Sequence, residues 1–317
     1  MIRALQREKL IEQAYQKGNK LRLSNKHYLN WLQKLLEQEY KEDLGQGDIT
    51  SQVVLTRNKR VKAVLKAEQE GVIAGIEEVS WFFEKRGLEV KTHVKDADEI
   101  KKDDRVLGVY GKQRDILAVE RIGLNVMQRM SGIATETREL VDLIEDYKTR
   151  IAATRKTVLK YLDKKAVYLG GGLTHRFGLW DAVLIKDNHL EALRNQGIKN
   201  PVEKAITLTS KAAHKAEFVE IETTNQEDAL EAARRFKQLE LRKPCIVMLD
   251  NVEPKEIQSI VEKLKNGNLH NHALLEASGN ITPENIKDYA KAGIDVVSLG
   301  YLTHSARTLD MSLEMTS

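Results

Sequence analysis

Six short apolar runs recur from residue 150 onward, and each ends in polar or glycine residues on its C-terminal side: RIAATRK, DAVLIKD, FVEIETT, CIVMLDN, LLEASGN and VVSLGYL. Helical segments such as VEKAITLTSKAAHK, NQEDALEAARRFK and TPENIKDYAKAG separate most of them. Alternating strand and helix requires a parallel sheet with right-handed crossovers. A parallel barrel would gather every polar strand end on one face, at the carboxyl ends of the strands. A doubly wound open sheet is the alternative, but no GxGxxG fingerprint follows the first run. The pattern therefore favours a parallel α/β barrel over residues 149–303, with fewer than eight strands allowed.

The preceding chain has a different texture. Residues 1–40 read as a helical extension, with Leu32, Leu35 and Leu36 at helical spacing. Its start is rich in Arg and Lys, but Glu8 and Glu12 are unlike a transit peptide, so a leading surface helix is expected. EDLGQGDITS then marks an irregular turn at Gly45 and Gly47. Over residues 41–148, strand-like VKAVLKAEQEGVIAG, LEVKTHVKD and DRVLGVYGKQRDIL surround the helical EEVSWFFEKRG. These predict an α+β unit on a mostly antiparallel sheet, and a long helix from about Leu117 to Tyr147 leads out of it.

Composition narrows the partners. The 51 basic and 47 acidic residues leave a net charge of +4 over 317 residues, a weak basis for nucleic-acid binding. No apolar run approaches the roughly eighteen residues needed to span a membrane. The single cysteine, Cys245, cannot form an internal disulfide and fits a reducing, cytoplasmic setting.

The polar strand ends carry the candidate chemistry. Arg155 and Lys156 end the first run, and Lys186 ends the second beside Asp187. His175 and Arg176 lie between those runs, after Gly170, Gly171 and Gly172. So many cations on one face repel one another unless an anionic ligand joins them. Arg offers fork-shaped recognition of carboxylate or phosphate, and Lys a compact charge. Glu220 and Glu222 are two apart and share a strand face, and Asp250 ends the next strand. Few carboxylates completed by substrate and water are the usual magnesium arrangement. A salt-bridge lattice between these acids and the cations is the competing reading. Ser278, Gly279, Asn280 and Gly300 finish the last two runs, where glycine lets backbone N–H groups approach a ligand. No histidine spacing suits a metal with Cys245, and no serine sits in a nucleophile elbow.

Taken in order, ERIGLNVMQRMSGIAT, TRKT, GGGLTHRFGLWDAVLIKDNH, VEIE, MLDN, EASGNIT and SLGYLTHSARTLDMSL resemble the quinolinate phosphoribosyltransferases, from about residue 40 to the C-terminus. The resemblance implies an N-terminal α/β sandwich, an incomplete α/β barrel, and a terminal segment, 304–317, that returns to the first domain. It implies transfer of phosphoribose from phosphoribosyl pyrophosphate to quinolinate, with loss of CO₂, in NAD biosynthesis. By the same resemblance Arg155, Lys156, His175, Arg176 and Lys186 would bind the carboxylates and phosphates. Glu222 and Asp250 would hold the ribose diol and Mg²⁺, and Ser278, Gly279, Asn280 and Gly300 the 5-phosphate. Lys156, Lys186, Glu222 and Asp250 are the expected catalytic set. Family members are homodimers or larger with shared sites, and Arg121 would reach the neighbour's site. A transferase for another aromatic acid, or a non-catalytic relative binding a phosphorylated ligand, are the alternatives.

The sequence departs from the family pattern at two places. TRKT continues as VLKYLDKKAV, about two residues shorter and without the usual Pro-Gly-Leu-Arg, and Thr174 replaces the usual Asn before His-Arg. Weakened quinolinate binding is the expected consequence of the missing guanidinium.

Overall fold

The computed structural model describes residues Ile2–Thr316, with side chains described from Gln6 to Met315; Met1 and Ser317 lie outside the described residues. The chain divides into two compact units. One comprises Met1–Lys17, Leu140–Lys156 and Gly172–Tyr301, and the other Gly18–Glu139, Thr157–Gly171 and Leu302–Ser317. Both are discontinuous in sequence.

The first unit contains all six predicted runs as strands: Arg150–Ala153, Val183–Ile185, Val219–Thr223, Cys245–Asp250, Leu274–Ser278 and Val296–Leu299. Every pairing is parallel. The first strand pairs with the last, Ala152 opposite Ser298, and pairing then runs back in sequence order to the second. That closure identifies a barrel, and it fails at one seam, between the first and second strands. There a single parallel bridge, Ala152 to Leu173, is all that joins the intervening segment to the first strand's edge among the described strands and bridges.

The helix Ile2–Tyr15 buries Ile11, Ala14 and Tyr15 against Leu173 at the open seam and one residue from each of the six strands or its approach: Ala152, Ala182, Phe218, Ile246, Leu274 and Val296. These stand at or near the strands' N-terminal ends, so the helix closes the bottom of the barrel. It is more than the surface helix expected from its charges. Ile11, Ala14 and Tyr15 follow the spacing of one helical stripe. Arg7 forks onto Asp295, just before the last strand, and Arg150 meets Glu8 and Glu12.

The second unit is built on a four-stranded antiparallel sheet in the order Met311–Thr316, Arg60–Ala67, Arg105–Lys112, Glu89–Thr92. Alternation in Arg60–Ala67 buries Ala63, Leu65 and Ala67. The C-terminal strand does return here, pairing Leu313 with Leu65. The helix Ile76–Lys85 covers most of the predicted EEVSWFFEKRG segment and buries Ile76, Val79, Phe82 and Phe83. The irregular turn expected at EDLGQGDITS proves to be a stop and a start. Gly45 (φ +49°) ends Lys26–Leu44, and Asp48 accepts from the Ser51 N–H at 2.9 Å to begin Ile49–Val54.

Candidate active site

All six strands of the barrel contribute candidate residues at their carboxyl ends, as the sequence pattern required. Arg155 and Lys156 follow the first strand and Lys186 the second; all three are exposed. Glu222 and Asp250, on the third and fourth strands, are half-buried, as are Ser278, Gly279 and Gly300 on the last two, while Asn280 is exposed. Arg176 is buried and donates to the Ala182 carbonyl at 3.2 Å. Arg121 belongs to the other unit, where it is exposed on the helix Gln113–Leu143.

The charges interact as a group. Lys186 Nζ lies 3.5 Å from Glu222 Oε2. Burial raises the Glu222 pKa; Lys186 opposes that, and Asp250 and Asp187 add to it. Burial likewise raises Asp250, against the pull of the Asn251 amide, Lys156 and Lys186. Burial lowers the Arg176 pKa, and Arg155 lowers it further against the favourable field of Glu220. Cations that oppose one another beside acids whose charged form burial disfavours make a site short of counter-charges. Bound anions would settle the first set, and a cation the second. Glu222 and Asp250 are half-buried oxygen donors, the kind that suits a hard divalent ion completed by substrate and water.

Backbone geometry holds the acid and glycine ends together. Asn251 (φ +55°) donates its amide to Asp250 Oδ2 at 2.8 Å and its N–H to the Ser278 carbonyl at 2.8 Å. Asn280 donates to Asn251 Oδ1 at 3.1 Å. Gly279 adopts φ +92°, and a Cβ there would stand 2.2 Å from Asn251 Oδ1. Side-chain size and chirality therefore both require glycine. His189 accepts from the Lys186 N–H at 2.8 Å, fixing the start of the helix Asp187–Asn195.

His175 points away from this surface. It is buried at φ +54°; its Nδ1 accepts from the Arg176 N–H at 2.7 Å, and its Nε2 lies 3.5 and 3.6 Å from Glu276 and Glu220. Tyr15 donates to the same Glu276 oxygen at 2.6 Å. Glu220 and Glu222 do share a strand side, but Glu220 lies a layer deeper and is fully buried.

The chain matches the models of both domains of quinolinate phosphoribosyl transferase, the N-terminal over residues 48–131 and the C-terminal over 133–314. The chain belongs to the quinolinate phosphoribosyltransferase family. A probable carboxylating nicotinate-nucleotide pyrophosphorylase of Methanothermobacter thermautotrophicus is 37% identical over 285 residues, covering 89% of this chain and 98% of that one. Its Bacillus subtilis counterpart is 35% identical over 289 residues, covering 90% and 93%. The nicotinate-nucleotide pyrophosphorylase structure from Francisella tularensis superposes with a TM-score of 0.76 at 32% identity, covering 90% of this chain and 96% of that chain.

Within this family member the altered segment after TRKT is ordered by one acid. Asp163 accepts the Val158 and Leu159 N–H groups at 2.9 and 3.0 Å and the forked guanidinium of Arg129 at 2.7 and 2.9 Å. Lys160 sits at φ +39°, with its ammonium 4.8 Å from the centre of the Tyr161 ring. Sequence reasoning overlooked Asn251, Glu276 and Tyr15. MLDN and EASG displayed two of them. Nothing local signals Tyr15, whose partner is 261 residues away.

Proposed function

We propose that the protein transfers phosphoribose from phosphoribosyl pyrophosphate to quinolinate, giving nicotinate mononucleotide, CO₂ and pyrophosphate. The observation that carries this reading is the pair Glu222 and Asp250, half-buried beside Lys156 and Lys186 at the barrel mouth. A site that only captured a phosphorylated ligand would need the cations and not the acids.

The quinolinate nitrogen attacks the anomeric carbon as the bond to pyrophosphate breaks, and the leaving group takes that electron pair. The ribose passes through a cationic state, which the Glu222 and Asp250 carboxylates stabilise. Lys156 and Lys186 hold the departing pyrophosphate. A magnesium ion held by Glu222 and Asp250 would neutralise phosphate charge when bound. Arg155 and Arg176 orient the two carboxylates of the acid, and orientation supplies much of the rate because the enzyme forms no covalent bond. Once quaternised, the ring nitrogen accepts the electron pair released as the adjacent carboxylate leaves as CO₂. A proton then takes its place on the ring carbon. Ser278, Gly279, Asn280 and Gly300 hold the 5-phosphate.

The enzyme acts as a homodimer in which the partner's Arg121 completes the site, and it resides in a reducing compartment, as its free, buried Cys245 suits. The decisive assay measures pyrophosphate release and labelled CO₂ from several pyridine acids with Mg²⁺. Pyrophosphate without CO₂, from an acid lacking the second carboxylate, would redirect the reading to another substrate. Mixed dimers of Arg121→Ala and Lys186→Ala should regain activity that neither parent has, and no recovery would reject the shared site.

A further inference from the structure

The buried group beneath the barrel mouth first resembles a metal site. His175, Glu220 and Glu276 bring three ligand atoms within 4.8 Å of one another, and neither Glu220 oxygen has a hydrogen-bond partner. The histidine excludes that use. Its Nδ1 accepts the Arg176 N–H, so the ring proton must sit on Nε2, the nitrogen that faces the acids. A metal-bound histidine shows the reverse: the distal nitrogen donates and the proximal one is bare. His175 is therefore a donor to Glu276, and Tyr15 donates to the same carboxylate oxygen from the other side.

What this arrangement controls is the backbone one residue away. His175 occupies the left-handed region, which a histidine adopts at a cost. Its ring nitrogen, by holding the Arg176 N–H, locks the turn that presents the Arg176 guanidinium. The N-terminal segment grips the same turn. The Tyr15 carbonyl accepts from the His175 N–H at 3.0 Å and from the Thr174 hydroxyl at 2.7 Å, and that hydroxyl accepts the Lys17 N–H at 3.0 Å. The Tyr15 ring meets the imidazole edge-on at 5.1 Å. Lys17 adds a buried ion pair with Asp181 at 2.6 Å, and Asp181 also holds the Phe177 N–H at 2.7 Å.

We propose that Tyr15–Lys17 is a positioning strap for the acid-binding site, with Tyr15 acting through His175 on Arg176, and that Thr174 is its docking point. Thr174 stands where the family's usual Asn would be. Its hydroxyl satisfies one carbonyl and one N–H of the strap at once, so the departure from the family pattern serves the N-terminal segment and not a change of substrate. His175 acts behind Arg176 as a positioning residue. This inference rests on the reading of Arg176 as a ligand for the pyridine acid.

The test compares Tyr15→Phe and Thr174→Val with the unaltered full chain. Calorimetric titration should show quinolinate binding weakened about tenfold in Tyr15→Phe, the usual scale for one hydrogen bond to a charged group. Phosphoribosyl pyrophosphate, held by other strand ends, should bind as before. A purely structural role would lower the melting temperature and leave the two affinities in their original ratio. Histidine ¹⁵N spectra of the free protein give a second readout. His175 should hold its proton on Nε2, and that resonance should move in Tyr15→Phe. If Tyr15→Phe does not fold, Thr174→Val bears both measurements. Unchanged quinolinate affinity in a folded variant, with an unmoved resonance, overturns the proposal. Failure of the unaltered protein to bind quinolinate at all would overturn the functional reading instead, and the resonance would then decide the strap alone.

Discussion

Lys186 and Glu222 meet at 3.5 Å from neighbouring strands of the barrel, a cation and an acid that belong to different halves of the same chemistry. Their side chains are about half and one-eighth exposed, 49% and 12%. The pair therefore contributes little to stability on its own, since screened pairs are worth at most about 1 kcal/mol. Lys186→Ala and Glu222→Ala should each leave the melting temperature nearly unchanged while lowering kcat on the order of 10²-fold. Asp250→Ala should match them. Near-normal turnover in these variants would remove the catalytic assignment.

Gly279→Ala is a sharper test of the phosphate end. The new methyl must displace the Asn251 amide that steadies Asp250, at a φ alanine rarely adopts. We expect weaker binding of phosphoribosyl pyrophosphate, by tenfold or more at roughly 1.4 kcal/mol per decade, with quinolinate binding preserved. Equal affinities for both variant and parent, measured by titration, would show that the turn plays no part.

In the other unit, Lys165 carries a buried charge into three acids. Its ammonium pairs with Glu77 and, at 2.6 Å, with Glu78, which also accepts from Tyr28 at 2.7 Å. Burial works against the Lys165 charge, but Glu78 and Asp96 outweigh it and raise its pKa. Lys165→Met should cost about 3–5 kcal/mol by leaving Glu78 uncompensated. Adding Glu78→Gln should restore much of that loss in denaturant titrations. Additive losses in the double variant would deny the coupling.

His270 gives the pH signature. Burial, with the Arg7 guanidinium next in importance, pushes its pKa down to about 4. The unfolded chain, near 6.5, then binds more protons than the native state between those values. Its stabilising contribution is complete above about pH 6.5 and fades as pH falls toward 4. Relative to the parent, His270→Asn should therefore gain stability between pH 7 and 4.5, read as a difference in melting temperature. A difference independent of pH would contradict the assignment.

Much of the barrel and its mouth was legible because strand ends are local facts: a short apolar run and the polar residues after it occupy consecutive positions. Arg155, Lys186, Glu222 and Asp250 were visible on that ground. The residues that orient them were harder to see. Asn251 matters through a left-handed backbone and contacts to Ser278 and Asn280, which no spacing rule encodes. The orientation of His175 depends on a tautomer set by its own neighbour's N–H. Residues 1–40 read as one helical stretch because both of its helices have helical periodicity. The break between them, a short turn at Gly18–Lys20 after the strap, lies against the distant helix Tyr161–Leu169, where Tyr168 leaves no room for a Cβ on Gly18.

The barrel's bottom helix precedes in sequence much of the surface that receives it. Ile11 and Tyr15 await Phe218, Ile246, Leu274 and Val296, and the strand Arg60–Ala67 likewise awaits Met311–Thr316. Neither unit can finish folding until these later strands are made, so the nascent chain carries an unmatched amphipathic helix and an unmatched strand edge while the residues between are synthesised. Contacts this distant slow folding and leave such surfaces open to association. Yield should then depend on translation speed and on chaperones, and cutting the gene at either unit's border would produce two insoluble fragments rather than two domains.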